Sequence, residues 1–203
     1  SAIKNMYKHF QPFISCEKAL NESGYRTNFK WTAELVQIKN AIQSNQHVIR
    51  VIGLSGLGKT RLVLEALLDN QDTSHKLYCD MANYEEREVF KTIESLFDNY
   101  GKATIVLDNC PYCFLEKIYD MRYGKKATNP IIAIYNDPNE RIDTLRYQAY
   151  SLAVSDEIVE DIIVKNADFF SSEDQKKIVE FSGGIPFIAE LLLEGWRKTK
   201  EIG

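Results

Sequence analysis

The residues best suited to chemistry lie in one glycine-rich loop, residues 53–60, with the sequence Gly-Leu-Ser-Gly-Leu-Gly-Lys-Thr. Glycine lets the backbone curl so that several N–H groups point inward, where they can bind phosphate oxygens. The Lys59 side chain adds a mobile positive charge, and the Thr60 hydroxyl is an oxygen ligand of the kind that Mg²⁺ accepts. The spacing G-x-x-x-x-G-K-[ST] therefore predicts that the loop binds the phosphates of a nucleoside triphosphate.

The sequence on either side supplies the elements that such a loop needs. A short β-branched run, residues 47–52, precedes the loop, and a stretch of helical character, residues 61–70, follows it. A helix that begins directly after the loop contributes its free N–H groups and the positive end of its dipole. This strand–loop–helix context distinguishes a phosphate-binding loop from a chance glycine turn.

A second site residue is expected at the end of another strand. Residues 103–107 form a β-rich run that stops on Asp108. A carboxylate in that position can hold Mg²⁺, usually through water. On its own, an Asp after an apolar run is more often a turn residue. Beside an intact glycine-rich loop, we interpret Asp108 as a metal-site residue together with Thr60.

The apolar runs indicate the fold class. Runs that are apolar throughout are typical of strands buried on both faces of a parallel sheet. Their alternation with helical segments predicts an α/β fold, a P-loop NTPase three-layer sandwich with a mostly parallel sheet of about five strands, followed by a small helical subdomain. The predicted strands cover residues 47–52, 76–80, 103–107, 131–135 and 150–154.

Three segments differ in their patterning. Residues 1–30 are predicted to be an N-terminal linker or helical extension, with a short amphipathic helix over 7–14 and a turn at 21–24. Residues 31–154 are predicted to form the nucleotide-binding α/β domain. Residues 155–203 are predicted to form a small helical lid subdomain. Its helices are expected over 156–166, 172–182 and 186–199.

Composition and charge narrow the function classes. The 203 residues are 44% hydrophobic and 27% charged, with a net charge of −4, as in an ordinary globular protein. No apolar run approaches the roughly 20 residues that span a bilayer, and a signal-peptide layout is missing, so we expect a cytoplasmic protein without a membrane partner. The net negative charge argues against nucleic-acid binding by this domain. The guanine-specifying [NT]-K-x-D element is missing, which favours ATP and ADP as ligands, with Mg²⁺.

The order of the motifs resembles the division of P-loop proteins that includes the AAA+ ATPases, because one strand separates the glycine-rich loop from Asp108 in the sequence. The resemblance implies a catalytic acidic residue directly after the metal Asp or close by. Position 109 is an asparagine, which cannot take a proton from water, so we expect slow hydrolysis or a carboxylate elsewhere. The resemblance also makes Asn136 the candidate sensor of the γ-phosphate, with a cap or turn role as an equal alternative.

Residues 181–191 resemble the G-x-P motif of the STAND class of signalling ATPases, which includes the NB-ARC domains of plant resistance proteins. In that class the motif opens a helix of the small subdomain and its proline packs near the adenine, which implies this role for Pro186. The resemblance covers roughly residues 31–199 in the family's order. The h-G-R element of the family has only an imperfect match at 24–26. Its winged-helix and sensor domains have no counterpart, so we expect a fragment of a longer signalling protein.

These observations predict an ATP/ADP-binding, slowly hydrolysing STAND-type switch that controls oligomerisation and signalling, in antiviral or innate defence or in transcription regulation. The expected partners are an adenine nucleotide, further copies of the chain when ATP is bound, and unidentified sensor and effector domains. One alternative is an AAA+-type ATPase that remodels protein or DNA. Another is a scaffold that holds ADP permanently.

The candidate residues follow from the motifs above. The catalytic candidates are Lys59, Asp108 and Asn136, and the metal candidates are Thr60 and Asp108. The nucleotide-binding candidates are Gly53, Ser55, Gly56, Leu57, Gly58, Lys59, Thr60, Arg61 and Pro186. Arg141 and Arg146 could reach phosphate or a neighbouring subunit, although surface arginines in solvent are the commoner case.

The tetrapeptide Cys110-Pro-Tyr-Cys113 is identical to the active-site sequence of glutaredoxins. There it opens a helix that lowers the pKa of the thiol. Here it follows the strand that ends on Asp108, and the rest of the chain does not resemble a thioredoxin fold. A regulatory disulfide beside the Mg²⁺ site is the better alternative to redox catalysis. The cysteine and histidine spacing does not make a zinc site.

Overall fold

A computed structural model of the chain describes residues 10–22, 33–43, 47–68, 75–100, 102–140, 143, 146–166 and 170–199. Six strands form one sheet in the order β1-β3-β4-β5-β2-β6. The strands are β1 (Ile14–Ser15), β2 (Val48–Ile52), β3 (His75–Asp80), β4 (Ala103–Asp108), β5 (Ile131–Ile134) and β6 (Gln148–Ser151). Among the described strands, the β1–β3 pair is antiparallel and the other four pairs are parallel.

Helices connect β2 to β3, β3 to β4 and β4 to β5, and further helices follow β6. They are α1 (Cys16–Glu22), α2 (Ala33–Gln43), α3 (Lys59–Leu68), α4 (Glu86–Asn99), α5 (Tyr112–Gly124), α6 (Asp156–Val164), α7 (Ser172–Ser182) and α8 (Pro186–Thr199). A short 3₁₀-helix, Met81–Asn83, follows β3. Among the helices described, none is both long and apolar enough to cross a membrane.

The sheet is covered on both faces, which makes the three layers of the predicted sandwich. Successive side chains of a strand point to opposite faces, so Ile105 and Leu107 pack with α4 and α5, whereas Val106 packs with α2 and α3. Apolar residues are therefore required on both sides of the inner strands. The predicted α/β P-loop NTPase-like sandwich is confirmed.

The helices after β6 bury an apolar cluster of their own, which includes Val159, Ile178 and Leu193. Two of their ends are capped by residue types typical of those positions. The hydroxyl of Ser155 accepts a hydrogen bond from the N–H of Ile158 at the start of α6, which is typical of an N-cap. At the end of α7, Gly183 adopts a left-handed conformation with φ 55°.

The short helix predicted over residues 7–14 is wrong in its described part, residues 10–14. Ile14 and Ser15 pair with Tyr78 and Leu77 of β3 as a sixth, edge strand, and the helix of this segment is α1, which begins at Cys16. Phe10 and Phe13 are buried against the sheet, so they satisfy an apolar pattern without forming a helix. The predicted turn at 21–24 is also wrong at its start, since α1 continues through Glu22.

One buried ion pair lies beneath the carboxyl edge of the sheet, which is the edge at which all five parallel strands end. Arg50, on β2, is fully buried and donates two hydrogen bonds to Glu140, of 2.7 and 2.6 Å. It donates a third, of 2.7 Å, to the carbonyl oxygen of Cys110. Its guanidinium also lies 5.3 Å from the centre of the Tyr135 ring. Arg50 thus ties the segments that follow β4 and β5 to the strand that carries the glycine-rich loop.

Removing one partner of this pair tests its contribution. We expect Glu140→Ala to lower the free energy of unfolding by about 3–5 kcal/mol, because Arg50 is then buried without its counterion. The double variant Arg50→Met/Glu140→Ala should recover part of that loss. Urea denaturation measures both. Glu173→Ala, which removes an exposed carboxylate beside Lys177, is the control and should change stability by less than about 1 kcal/mol. If Glu140→Ala and Glu173→Ala lowered the free energy of unfolding by the same amount, the expectation would be contradicted.

Candidate functional site

The glycine-rich loop connects β2 to α3, as predicted, and glycine is required in it. Gly53, Gly56 and Gly58 have φ values of 144°, 83° and 83°. A Cβ atom on Gly56 would lie 3.0 Å from a methyl carbon of Ile185 and 3.1 Å from the Cβ of Phe187. Within the described part of the chain, the backbone N–H groups of residues 54–58 have no hydrogen-bond acceptor. These N–H groups are available to an anion.

Lys59 is held against the loop itself. Its ammonium group donates hydrogen bonds to the carbonyl oxygens of Gly53, at 2.9 Å, and of Leu54, at 2.7 Å. Burial lowers the pKa of Lys59, and the charge of Asp108 acts in the opposite direction. A bound anion would stabilise the charged ammonium group further. The predicted position of Lys59 beside the loop is therefore matched by its geometry.

Thr60 and Asp108 meet, although they come from different elements. The Thr60 hydroxyl, in the first turn of α3, donates a 2.6 Å hydrogen bond to Oδ2 of Asp108 at the end of β4. The Tyr78 hydroxyl donates to the same oxygen at 2.9 Å, and the N–H of Asn109 donates to Oδ1 at 2.9 Å. Burial raises the pKa of Asp108, while these hydrogen bonds lower it. A buried carboxylate beside a hydroxyl is a donor set that suits a hard cation such as Mg²⁺.

A chain of hydrogen bonds runs along the carboxyl edge from β3 to β5. The side-chain amide of Asn109 donates to Oδ1 of Asp80 at 2.8 Å, and its oxygen accepts from the amide of Asn136 at 3.0 Å. Asn109 has a left-handed backbone with φ 52°, which asparagine tolerates better than most residues. Asn136 follows β5, which ends at Ile134, and its side-chain amide is hydrogen-bonded to Asn109.

Sequence reasoning missed two members of this edge, Tyr78 and Asp80. Both belong to β3, and parallel register places Asp80 directly beside Asp108. A tyrosine within a strand is commonly an apolar core residue, and an aspartate at its end commonly caps a turn, so neither type gives a signal by itself. The strand order, in which β3 lies next to β4, was the missing information.

The last helix reaches the glycine-rich loop. The N–H of Phe187, in the first turn of α8, donates to the carbonyl oxygen of Gly56 at 3.2 Å, so Pro186 lies beside the loop. The segment before α6 is also joined here, because the N–H of Ser155 donates to the carbonyl oxygen of Gly184 at 3.0 Å. The phenyl ring of Phe187 is 54% exposed. Helix α8 and the glycine-rich loop are thus in direct contact.

The predicted arginines have other partners. Arg61, one turn into α3, is buried and forms a 2.7 Å ion pair with Glu65. Arg146 pairs with Glu116 at 3.4 Å and with Asp143 at 3.3 Å, which agrees with its interpretation as a surface residue. Arg141 lies outside the described residues, as does the imperfect h-G-R match at 24–26.

The cysteine pair lacks the features of a reactive dithiol. All four cysteines are free thiols; Cys110 is buried and Cys113 is exposed. Burial raises the pKa of Cys110 to about 12. A nucleophilic cysteine needs a lowered pKa, because the thiolate is the reactive form. Catalytic redox chemistry at this pair therefore finds no support. Among the described residues, no group of three or more His, Cys, Asp and Glu is placed to hold a metal ion.

The fold is similar to that of solved structures of Hsp104 from S. cerevisiae. The Hsp104–ADP complex matches with a TM-score of 0.61 and 12% identity, over 91% of this chain and 32% of that one. The Hsp104–casein complex in an extended conformation matches with a TM-score of 0.60 and 14% identity, over 89% and 39%. The chain therefore spans about a third of the length of these proteins. No family model matches the sequence, and no curated protein matches it.

At such identities the likeness concerns the fold. The chain has the P-loop NTPase-like α/β sandwich that these Hsp104 chains contain. The order β3-β4-β5-β2-β6 places β5 between the strand before the glycine-rich loop and the strand that ends on Asp108. In open parallel sheets of this kind, ligands bind at the carboxyl ends of the strands, where the candidate residues lie.

The raised pKa of Asp108 yields a prediction for stability. A carboxyl group whose pKa is higher in the folded than in the unfolded state destabilises the fold once the pH rises above the unfolded-state pKa. We expect Asp108→Asn to raise the melting temperature of the nucleotide-free protein near neutral pH, because the variant removes a negative charge that burial disfavours. The difference should shrink as the pH is lowered toward about 4. Calorimetric melting across pH checks this, and a lower melting temperature for the variant would contradict it.

Proposed function

We propose that this chain binds ATP and ADP with Mg²⁺ at the glycine-rich loop and hydrolyses ATP slowly. The observation that carries the proposal is the meeting of Lys59, Thr60 and Asp108 at the carboxyl edge, with the Thr60 hydroxyl 2.6 Å from the Asp108 carboxylate. The likeness to Hsp104, whose structure was solved with ADP, supports it. The N–H groups of the loop and the Lys59 ammonium group would bind the β- and γ-phosphates.

Thr60 and Asp108 would hold the Mg²⁺ ion, because both present hard oxygen ligands at one place. The ion supplies charge neutralisation to the phosphate oxygens. The chain's own residues orient the phosphates: the loop N–H groups fix their position, and Lys59 adds a point charge beside them. Tyr78, which donates to Asp108 at 2.9 Å, holds the carboxylate in place.

The adenine side of the site is proposed on two grounds. The missing guanine-specifying element favours adenine over guanine. The resemblance to STAND proteins assigns the adenine-side contact to Pro186, and the structure supports this to the extent that α8 begins beside Gly56. Ser55, Leu57 and Arg61 complete the proposed nucleotide-binding set, and Asn136 is retained as the proposed γ-phosphate sensor.

A switch function is proposed from the contact between the lid helices and the loop. The hydrogen bond from Phe187 to Gly56 joins the proposed lid subdomain, residues 155–203, to the proposed nucleotide-binding domain, residues 31–154. A nucleotide that alters the loop must alter this contact too, so its binding can shift the relative position of the two parts. Control of oligomerisation and signalling in a longer cytoplasmic protein would follow from that shift.

A second candidate function is that of an ATPase that remodels proteins, and the likeness to Hsp104 in complex with casein favours it. A remodelling ATPase needs repeated turnover, whereas a switch needs slow turnover. The asparagine at position 109 supports the switch. A scaffold that holds ADP permanently would bind nucleotide without exchanging it.

Nucleotide binding is tested by thermal melting with ATP, ADP or GTP and Mg²⁺. A ligand at a thousand times its Kd stabilises the folded state by about 4 kcal/mol. We expect a shift with ATP and ADP, a smaller one with GTP, and none with Lys59→Ala. Lys117→Ala, on the exposed face of α5, is the matched control and should retain the shift. Tight ATP binding by Lys59→Ala in calorimetry would show that the site is assigned wrongly.

Phosphate release across protein concentrations separates the candidate functions. For the switch we expect a low rate per chain that does not rise with assembly. A remodelling ATPase should hydrolyse faster per chain as it oligomerises. Mass analysis of nucleotide released from denatured protein, before and after incubation with ATP, identifies a permanent ADP scaffold. A rate per chain that climbs steeply with concentration would favour the remodelling function instead.

A further inference from the structure

The proposed hydrolysis lacks a proton acceptor at the position that follows Asp108. Asn109 carries an amide, and both ends of this amide already form hydrogen bonds. Its nitrogen donates to Asp80, and its oxygen accepts from Asn136. Asp108 is engaged as well, by Thr60, Tyr78 and the N–H of Asn109. A carboxylate that activates water must therefore come from another strand.

Asp80 is the carboxylate that the strand order brings to this place. It ends β3 and is the register partner of Asp108 across the parallel β3–β4 pair. Glu140, an acidic residue that follows β5 on the other side of β4, already accepts two hydrogen bonds from Arg50. In contrast, Asp80 forms no ion pair with any described residue. Asp80 is also only partly buried, so that water can reach it.

The hydrogen bonds of Asp80 fix its orientation and leave capacity on one oxygen. Oδ1 accepts from the N–H of Ala82 at 3.1 Å and from Asn109 at 2.8 Å, and Oδ2 accepts from the amide of Asn83 at 2.9 Å. A carboxylate offers about four lone-pair sites, of which these bonds use three. Oδ2 can therefore accept one more hydrogen bond, and a water molecule is a suitable donor.

We propose that Asp80 orients the attacking water and accepts its proton, and that Asn109 positions Asp80. The proposal rests on the proposed ATP hydrolysis. The water oxygen forms a bond to the γ-phosphorus while the bond from that phosphorus to the β–γ bridging oxygen breaks. The bridging oxygen leaves with the electron pair as part of ADP. The water proton passes to Oδ2 of Asp80, which later releases it to solvent. The left-handed Asn109 backbone and the bond to Asn136 aim the amide nitrogen at Asp80.

The Asp80–Asn109 pair is an acid and its amide on adjacent strand ends, so exchanging the two residues tests the proposal. The double variant Asp80→Asn/Asn109→Asp retains a carboxylate, an amide and a hydrogen bond between them. The single variant Asp80→Asn removes the only carboxylate of the pair and keeps a residue that caps the 3₁₀-helix. Asp80→Ser does the same with a smaller capping side chain. Asp120→Asn, an exposed position on α5, is the control.

Two measurements are made on each variant: phosphate release from ATP with Mg²⁺, and the melting shift with ADP and Mg²⁺. General base catalysis contributes about 10²- to 10⁴-fold. We therefore expect Asp80→Asn and Asp80→Ser to lose at least ~10²-fold in phosphate release, while their melting shift stays at the parent value. The double variant Asp80→Asn/Asn109→Asp should release phosphate at least ~10-fold faster than Asp80→Asn. It again has a carboxylate, now at position 109, that is hydrogen-bonded to the amide at position 80. The control should match the parent in both measurements.

The outcomes separate this inference from the proposed function. If the parent shows a melting shift and both single variants release phosphate at its rate, Asp80 is not the proton acceptor, and nucleotide binding stands. A parent that binds nucleotide but releases no phosphate overturns the inference in the same way. A parent without any melting shift overturns the proposed function and the inference together. Loss of the melting shift in Asp80→Asn and Asp80→Ser, but not in the control, would assign Asp80 to binding instead.

Discussion

The hydrogen bond between Thr60 and Asp108 joins the first turn of α3 to the end of β4, across 48 positions of sequence. It depends on the order of the strands, because β5 separates β2 from β4. Neighbouring strands lie about 4.8 Å apart, so β2 and β4 are held roughly 10 Å from each other. The first turn of a helix that leaves β2 can bridge this distance with a threonine side chain. Tyr78 and the N–H of Asn109 also donate to the Asp108 carboxylate that forms this bridge.

Two ionisable side chains at the carboxyl edge, Lys59 and Asp108, lie at positions where burial disfavours a charge. Burial lowers the pKa of Lys59 and raises that of Asp108, so both charged forms are disfavoured relative to solvent. Arg50, by comparison, is fully buried but has a bidentate counterion in Glu140. The difference is consistent with a scaffold role for Arg50 and with the proposal that Lys59 and Asp108 bind partners of opposite charge. Perturbed groups of this kind cluster at functional sites.

The glycine-rich loop at the edge of the sheet also contacts the helices that follow β6. Gly56 accepts a hydrogen bond from Phe187, and Gly184 accepts one from Ser155. A Cβ on Gly184 would lie 2.8 Å from the nitrogen of Ser155, and its φ is 74°, so a side chain there would be strained as well as crowded. Two glycines thus let three backbone segments approach closely. A change in the glycine-rich loop can therefore act directly on α8, through the hydrogen bond between Phe187 and Gly56.

Much of this arrangement is determined by local sequence. The β-branched run before Gly53, the lysine and threonine that open α3, and the apolar run that stops on Asp108 each give a local signal. The caps at Ser155 and Gly183 do too, because a hydroxyl at a helix start and a glycine at a helix end act through nearby backbone groups. For this reason the class of fold and the loop residues could be predicted. The edge strand β1 could not, since buried Phe10 and Phe13 fit a helix or an extended segment equally well.

The glycine-rich loop, Thr60 and Asp108 are properties of the sequence, but their meeting is a property of the sheet. Only tertiary structure decided that β3 lies beside β4, which brings Tyr78 to the Asp108 carboxylate and Asp80 to Asn109. These contacts join residues about 30 positions apart, and the pairing of parallel strands is a long-range choice made by the whole core rather than by any local propensity. The same choice places the Asp80 carboxylate beside the asparagine that follows Asp108.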